Sequence, residues 1–209
     1  MPKKISLLAV PTFLLLVCLP HTIWAQGPYN VSEYLLMPVG SWKVFDHNGD
    51  GIGDQQVFFM AAGKYIAEVH PTYWLYADIW EIDATGLYFW CDWEPGAPAW
   101  LNPPIFYANS LYIGQRARSF ARWIGPPAEW YLKELTITDE GLTVDTPAGT
   151  FTGCLQIRVI GLSQHISPGS VSWSWSRKLL YCVKDVGIVK EINEYETQII
   201  TDYFLAPKE

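Results

Sequence analysis

The stretch 150-TFTGCLQIRVIGLSQHISPGSVSWSWSRKLLYCVK-184 decides the fold. On both sides of Ser167-Pro168-Gly169, Val, Ile, Trp and Leu recur at every second position. That is the period of a strand with two unlike faces. Ser-Pro-Gly between two such runs is a turn, because proline presets one dihedral and glycine accepts the left-handed one. Residues 150–161 and 171–184 therefore read as a hairpin centred near Ser167. That register brings Cys154 within about one step of Cys182, on strands whose paired Cα atoms lie roughly 5.5 Å apart. A Cys154–Cys182 disulfide and a pair of buried thiols both fit this spacing. Trp173 and Trp175, alternating with serines, are expected to form one buried face.

The same pattern runs outward in both directions. Residues 41–46, 55–62, 64–70, 73–83, 86–93, 115–124, 131–138, 188–195 and 197–205 are rich in Val, Ile, Thr and aromatics, as strands are. Gly63, Thr85-Gly86, Glu140-Gly141 and Pro147-Ala148-Gly149 break them as turns. No long stretch carries a helical stripe. About eleven short strands in one domain, residues 26–209, imply an all-β, mainly antiparallel meander closed as a half-barrel, barrel or sandwich. The segment 94–109 holds Pro95, Pro98, Pro103 and Pro104. Proline lacks the ladder donor, so this segment is expected to cross between strands or form a lid.

The chain has 209 residues, 50% hydrophobic and 15% aromatic, with a formal net charge of −7. This excludes a disordered chain, which cannot be so aromatic, and a nucleic-acid binder, which needs a basic face. Lys3 and Lys4 followed by the apolar run from Leu7 to Leu19 and Ile23-Trp24-Ala25 read as a secretory signal peptide over residues 1–25. Val17 ahead of Cys18 is too bulky for the small-residue signal of a lipid anchor. No second run reaches membrane length, so the mature chain is expected without a transmembrane segment, periplasmic or secreted. Three cysteines remain there, Cys91, Cys154 and Cys182, in a compartment that allows bridges.

Three further segments carry a resemblance. Tyr34-Leu35-Leu36-Met37-Pro38-Val39-Gly40-Ser41-Trp42-Lys43-Val44, then Thr146-Pro147-Ala148-Gly149-Thr150-Phe151-Thr152-Gly153-Cys154, then Asp185-Val186-Gly187-Ile188-Val189-Lys190, resemble the opening Y-x-P-L-x-x-G-x-x-W-x-Y, the T-P-A-G-T-F-x-x-C and the closing G-V-G-L-V-K of a domain-of-unknown-function family of exported bacterial β proteins. Asp185 replaces the first glycine of the closing motif. The resemblance implies export and a half-barrel similar to lipoprotein carriers. It brings no catalytic residues. Read physically, Trp42 and Phe151 are expected to anchor strands in the core.

One motif carries ion chemistry. In 46-DHNGDGIGD-54, Asp46, Asn48, Asp50 and Asp54 place oxygens at positions 1, 3, 5 and 9, Gly51 allows the sharp turn at position 6, and Ile52 offers a carbonyl at position 7. Calcium takes six to eight oxygens at such spacing. Val57 stands where a bidentate glutamate closes stronger sites, so structural calcium at a Kd of about 10⁻⁴ to 10⁻³ M is expected. Asn-Gly and Asp-Gly also make this loop a strong hairpin turn without any ion.

Catalytic readings are weak. Glu81 and Asp83 in Trp80-Glu81-Ile82-Asp83-Ala84-Thr85 resemble the paired acids of jelly-roll glucanases, yet Thr85 stands where the proton donor belongs. His47, His70 and His165 lack a serine or cysteine in a motif, and no Cys or His pair has zinc spacing. Trp74, Tyr76 and Trp80 share a strand face near Trp90, which suits an apolar or sugar-stacking pocket. Arg116 and Arg118 share a side that suits an anionic headgroup, or acids on neighbouring strands. The function expected is therefore a non-catalytic binding or carrier protein, with an aromatic-lined concavity for a hydrophobic or lipidated ligand. The alternative is a calcium-stabilised carbohydrate-binding module; a glycosidase at Glu81 and Asp83 is the weakest reading. Carrier and sugar binder differ in whether the tryptophans point inward around a cavity or outward along a rim.

Overall fold

The structure, a computed structural model, describes residues 27–71, 76–93, 99–124 and 129–207. The expected signal peptide, Trp74, Pro95 and Pro98 lie outside the described residues. In chain order the elements are β1 (Tyr29–Asn30), α1 (Ser32–Leu35), β2 (Trp42–Asp46), β3 (Gln55–Ala62), β4 (Tyr65–His70), β5 (Tyr76–Ile82), β6 (Gly86–Trp93), β7 (Ala99–Ala108), β8 (Ser110–Leu111), β9 (Arg116–Arg122), β10 (Trp130–Thr146), β11 (Gly149–Ser167), β12 (Ser170–Val183), β13 (Gly187–Ile192) and β14 (Thr197–Phe204). Twelve strands form one antiparallel sheet in the order β7-β6-β5-β4-β3-β2-β14-β13-β12-β11-β10-β9, and β1 pairs with β8 apart from it. The all-β meander expected from period-two patterning is the fold.

The sheet curls until its two edge strands meet. Phe106 N–H donates to Ser119 Oγ at 2.7 Å, Ile124 N–H donates to the Trp100 carbonyl at 2.9 Å, and Leu101 bridges to Trp123. The result is a nearly closed barrel. The expectation of an unpaired crossing over residues 94–109 is corrected here: residues 99–108 are strand β7, carrying Pro103 and Pro104. Proline is tolerated because β7 lies at the sheet edge. Its pairing with β6 breaks register between Phe89 and Cys91, and the seam to β9 is held by a side-chain acceptor and single bridges instead of a full ladder.

Two other expectations change. Residues 140–141 are no turn: β10 runs through them, with register shifts on either side and Gly141 at φ +68°, so the glycine absorbs a bulge. Trp42 is not a core anchor. On β2 the buried positions are Lys43, Phe45 and Asp46, and Trp42 stacks on the exposed Phe204 at 6.5 Å between centroids. Phe151 is buried as expected. The interior is filled by side chains such as Val57, Phe59, Leu87, Leu135, Ile157 and Ile200.

Residues around α1 pack against the β12–β13 turn. Val31, Leu35, Leu36 and Met37 are buried, Asp185 N–H donates to the Glu33 carbonyl at 2.7 Å, and Lys184 pairs with Glu33 at 2.8 Å. Asp185 has φ +67°, a left-handed conformation that Asp adopts more readily than most residues.

The β11–β12 hairpin turns at Pro168 and Gly169, with Ser167 paired to Ser170. Its outer part corrects the expectation for Trp173 and Trp175: all residues from 170 to 178 are exposed, with Trp173 at 51% and Trp175 at 64%. Alternation places both tryptophans on one face, but there neither face of the ribbon is covered.

Candidate functional site

Inward-pointing side chains of the barrel enclose a chamber of about 340 Å³, at the small end of ligand-binding cavities. Its apolar lining includes Trp80, Phe89, Ile105, Tyr107, Leu135 and Val159, and Leu35 of α1 also borders it. Charged residues line it as well, and their placement follows from strand register.

The β4–β5 wall is acidic. Glu68 and His70 are two residues apart on β4, hence on one face. Glu68 lies opposite Asp78 of β5, and Asp78 lies opposite Asp92 of β6. His70 lies opposite Tyr76 and stacks on it, with centroids 4.3 Å apart and 7° between planes. His70 Nε2 is 3.9 Å from Glu68 Oε1 and 4.0 Å from Asp78 Oδ2. The Gln55 amide lies 3.1 Å from His70 Nδ1, and Trp80 Nε1–H donates to Glu68 Oε2 at 3.1 Å. Burial, with the charges of Glu68 and Asp92, pushes the Asp78 carboxyl well above the usual range. Burial likewise pulls His70 down, although Glu68 opposes it.

Lys43, 1% exposed, stands beside this wall with Nζ 3.9 Å from Glu68 Oε1. The ammonium also sits 4.9 Å and 5.1 Å from the Phe45 and Phe59 ring centres. A cation so placed is held by the carboxylate and the ring faces together. Burial lowers its pKa and Glu68 works against that.

The opposite wall is basic. Lys133 of β10 and Lys178 of β12 border the chamber. Lys178, half exposed, pairs with Glu191 at 2.7 Å. No ion pair holds Lys133 among the described residues, and burial lowers its pKa first, with the Lys178 charge adding to this. Gly161, opposite Lys133, leaves it space: a Cβ there would lie 2.9 Å from Lys133 Nζ.

The residues singled out from sequence are distributed over several places. Tyr76 and Trp80 line the chamber. Trp90, the extra residue where β5–β6 pairing shifts, donates to Glu81 Oε2 at 2.8 Å. Arg116 and Arg118 are more than half exposed and both face Glu134, at 3.8 Å and 2.7 Å. They form a solvated ion-pair face. Glu81 also takes Lys64 Nζ at 2.9 Å, whereas Asp83 lies past the end of β5 and caps the turn, accepting from Thr85 N–H and Oγ1–H and from Gly86 N–H. The two acids thus serve an outer ion pair and a turn and do not converge on a shared substrate position. Cys154 and Cys182 are both buried and not bridged to each other, and the β11 residue paired to Cys182 is Leu155; Cys91 is buried as well.

Loop 46–54 joins β2 to β3, and its oxygens accept the loop's own amides. Asp46 accepts from Asn48, Gly49 and Gly51 N–H at 2.7–3.0 Å. Asn48 accepts from Asp50, Asp50 from Ile52, and Asp54 from His47. Burial alone would raise the Asp46 pKa, but the amide donors, Gly51 foremost, outweigh it and hold the carboxyl low. A Cβ on Gly53 would clash with Val44 and Thr201, so the glycine permits β14 to approach the loop.

Sequence reasoning missed the Glu68–His70–Asp78 grouping. Its visible signal was E-x-H on one alternating strand, followed across a short connection by an acid on the next. His165 also has a partner that sequence did not reveal, with Nε2 2.8 Å from Ser174 Oγ. Glu129 Oε2 is 4.0 Å from His165 Nδ1 and accepts the Tyr131 hydroxyl. A base oriented by a third group needs a hydrogen bond there, and 4.0 Å is too long.

Among the described residues the tryptophans mostly face outward. Trp93, Trp100, Trp130, Trp173 and Trp175 are 39–64% exposed, and Trp80 alone of the described tryptophans lines the chamber. Phe120, Leu132, Leu162 and Trp175 are paired in one row across β9, β10, β11 and β12.

No protein-family model matches the chain, and no curated protein matches it. Among solved structures, a chain titled a "putative lipoprotein" from Parabacteroides distasonis ATCC 8503 aligns with a TM-score of 0.42 and 10% identity, over 81% of this chain and 97% of that one.

Proposed function

We propose that this chain is an exported, non-catalytic binding protein whose barrel chamber takes a small amphipathic ligand with an anionic head. The observation that carries this reading is the pairing of an aromatic lining with Lys133, a chamber-facing cation without an ion pair among the described residues. An ammonium in a low-dielectric site attracts a carboxylate far more strongly than it does in water, while Trp80, Phe89 and Tyr107 remove the apolar body from solvent. Charge on both walls refines the hydrophobic or lipidated ligand expected from sequence. Calorimetric titration with octanoate, octanol and octylamine tests it. Octanoate is expected to bind best, and Lys133→Met is expected to weaken it about tenfold. Equal binding of octanol, or no binding of any of the three, overturns the reading.

The outward tryptophans favour a second reading, a carbohydrate platform stabilised by calcium at Asp46, Asn48, Asp50, Ile52 and Asp54. Flat exposed aromatic faces stack on sugar rings. Retention by insoluble cellulose or chitin, lost in Trp175→Ala, is the expected result. Melting in EDTA and then in millimolar calcium tests the loop. A rise in Tm abolished by Asp50→Ala supports the ion, and a flat response removes it.

A further inference from the structure

We propose that Glu68, His70 and Asp78 bind one divalent first-row transition cation inside the barrel. One ligand atom from each lies within 4.8 Å of the other two. Bonds of about 2.0–2.1 Å in tetrahedral geometry put ligand atoms roughly 3.4 Å apart, so small side-chain rotations close the site. Register supplies the convergence: Glu68 and His70 share a face of β4, and Asp78 stands opposite Glu68 on β5.

A second observation points the same way. Among the described residues His70 Nε2 is buried with no hydrogen-bond partner, on a side chain 10% exposed, and it is aimed between the two carboxylates. A buried polar atom left unsatisfied is costly, and a cation would satisfy it. The outer support that metal-binding side chains need is present. The Gln55 amide, 3.1 Å from His70 Nδ1, occupies that ring nitrogen and leaves Nε2 as the one facing the carboxylates. Trp80 Nε1–H holds Glu68 Oε2, so Oε1 faces the site.

Lys43, 3.9 Å from Glu68 Oε1, supplies one positive charge where two carboxylates face each other. Imidazole with carboxylates suits Zn²⁺, Mn²⁺ or Fe²⁺ better than Ca²⁺ or Mg²⁺, which take oxygen alone. The site is thus chemically distinct from loop 46–54. Three protein ligands leave a coordination position open toward the chamber. The inference uses the chamber of the binding reading but not its ligand, because the octanoate test rests on Lys133.

The test is calorimetric titration of EDTA-treated, desalted protein with Zn²⁺ alone. One equivalent is expected to bind, weakened at least tenfold by His70→Gln and by Asp78→Asn and unchanged by Asp50→Ala. Should a variant fail to fold, Co²⁺ added to the unaltered protein is expected to give visible absorption bands saturating at one equivalent. Zn²⁺ binding that survives both variants, or the absence of both Zn²⁺ heat and Co²⁺ bands, overturns the proposal.

Discussion

Strands β4–β5 and strand β12 both alternate apolar with polar residues, and they dispose their aromatics differently. On β4 and β5 the inward face carries Glu68, His70, Tyr76, Asp78 and Trp80, while Glu81 points out to Lys64 and Trp90. On β12 the barrel portion buries Leu180 and Cys182, and the outer portion leaves Trp173 and Trp175 in solvent. On β4 and β5 polar groups therefore enter the interior, and on β12 large aromatics leave it where the ribbon extends past its cover. A strand's period assigns residues to shared faces. Which face is buried depends on what lies against it.

The strongest way to break this contrast is to truncate one aromatic from each class. Phe59, 1% exposed, replaced by alanine should lower unfolding free energy by about 3–5 kcal/mol, measured by urea melts. Trp175→Ala, removing a larger but exposed side chain, should change it by less than about 0.5 kcal/mol. Comparable losses would mean that the hairpin face is covered in solution.

A charge-based comparison comes next. Lys43→Met leaves Glu68 buried without its cation and should cost about 3 kcal/mol. The double change Lys43→Met with Glu68→Gln should recover much of that, because no uncompensated charge remains. A double mutant no more stable than the single one would show that Lys43 acts through packing on Phe45 and Phe59 instead.

The smallest effect belongs to the outer face. The Arg118 guanidinium, 2.7 Å away, holds Glu134 below the ordinary carboxylate range, against a smaller opposing effect of burial. A carboxyl with a lower folded than unfolded pKa stabilises the fold above its unfolded value, about 4.3, and loses that contribution as pH falls through the folded value. Because both arginines are more than half exposed, Glu134→Gln should cost under about 1 kcal/mol at neutral pH. Melts should converge with the parent protein in acid, and a pH-independent difference would assign the loss to packing.

Much of the strand set was legible because turns and alternation are local. Gly63, Thr85-Gly86 and Ser167-Pro168-Gly169 mark connections through backbone dihedrals that need no distant partner. Strand β7 was not legible, since Pro103 and Pro104 argue against a ladder unless the strand is known to lie at an edge. The chamber was half legible. Tyr76 and Trp80 share a face in sequence, yet nothing local says that Lys43 and Lys133 share that space with them. Arg116 and Arg118 looked like an anion grip until strand pairing supplied Glu134.

By itself the sequence determined the class of fold, the antiparallel meander and the Asp46–Asp54 turn. Each rests on residues within a few positions of one another. Tertiary structure alone decided that Lys43 is buried and Trp42 is not, that Trp173 and Trp175 face solvent, and that Glu68, His70 and Asp78 converge. Those outcomes depend on sheet order, curvature and register, which bring together strands far apart in the chain and choose which of two equivalent faces becomes the interior.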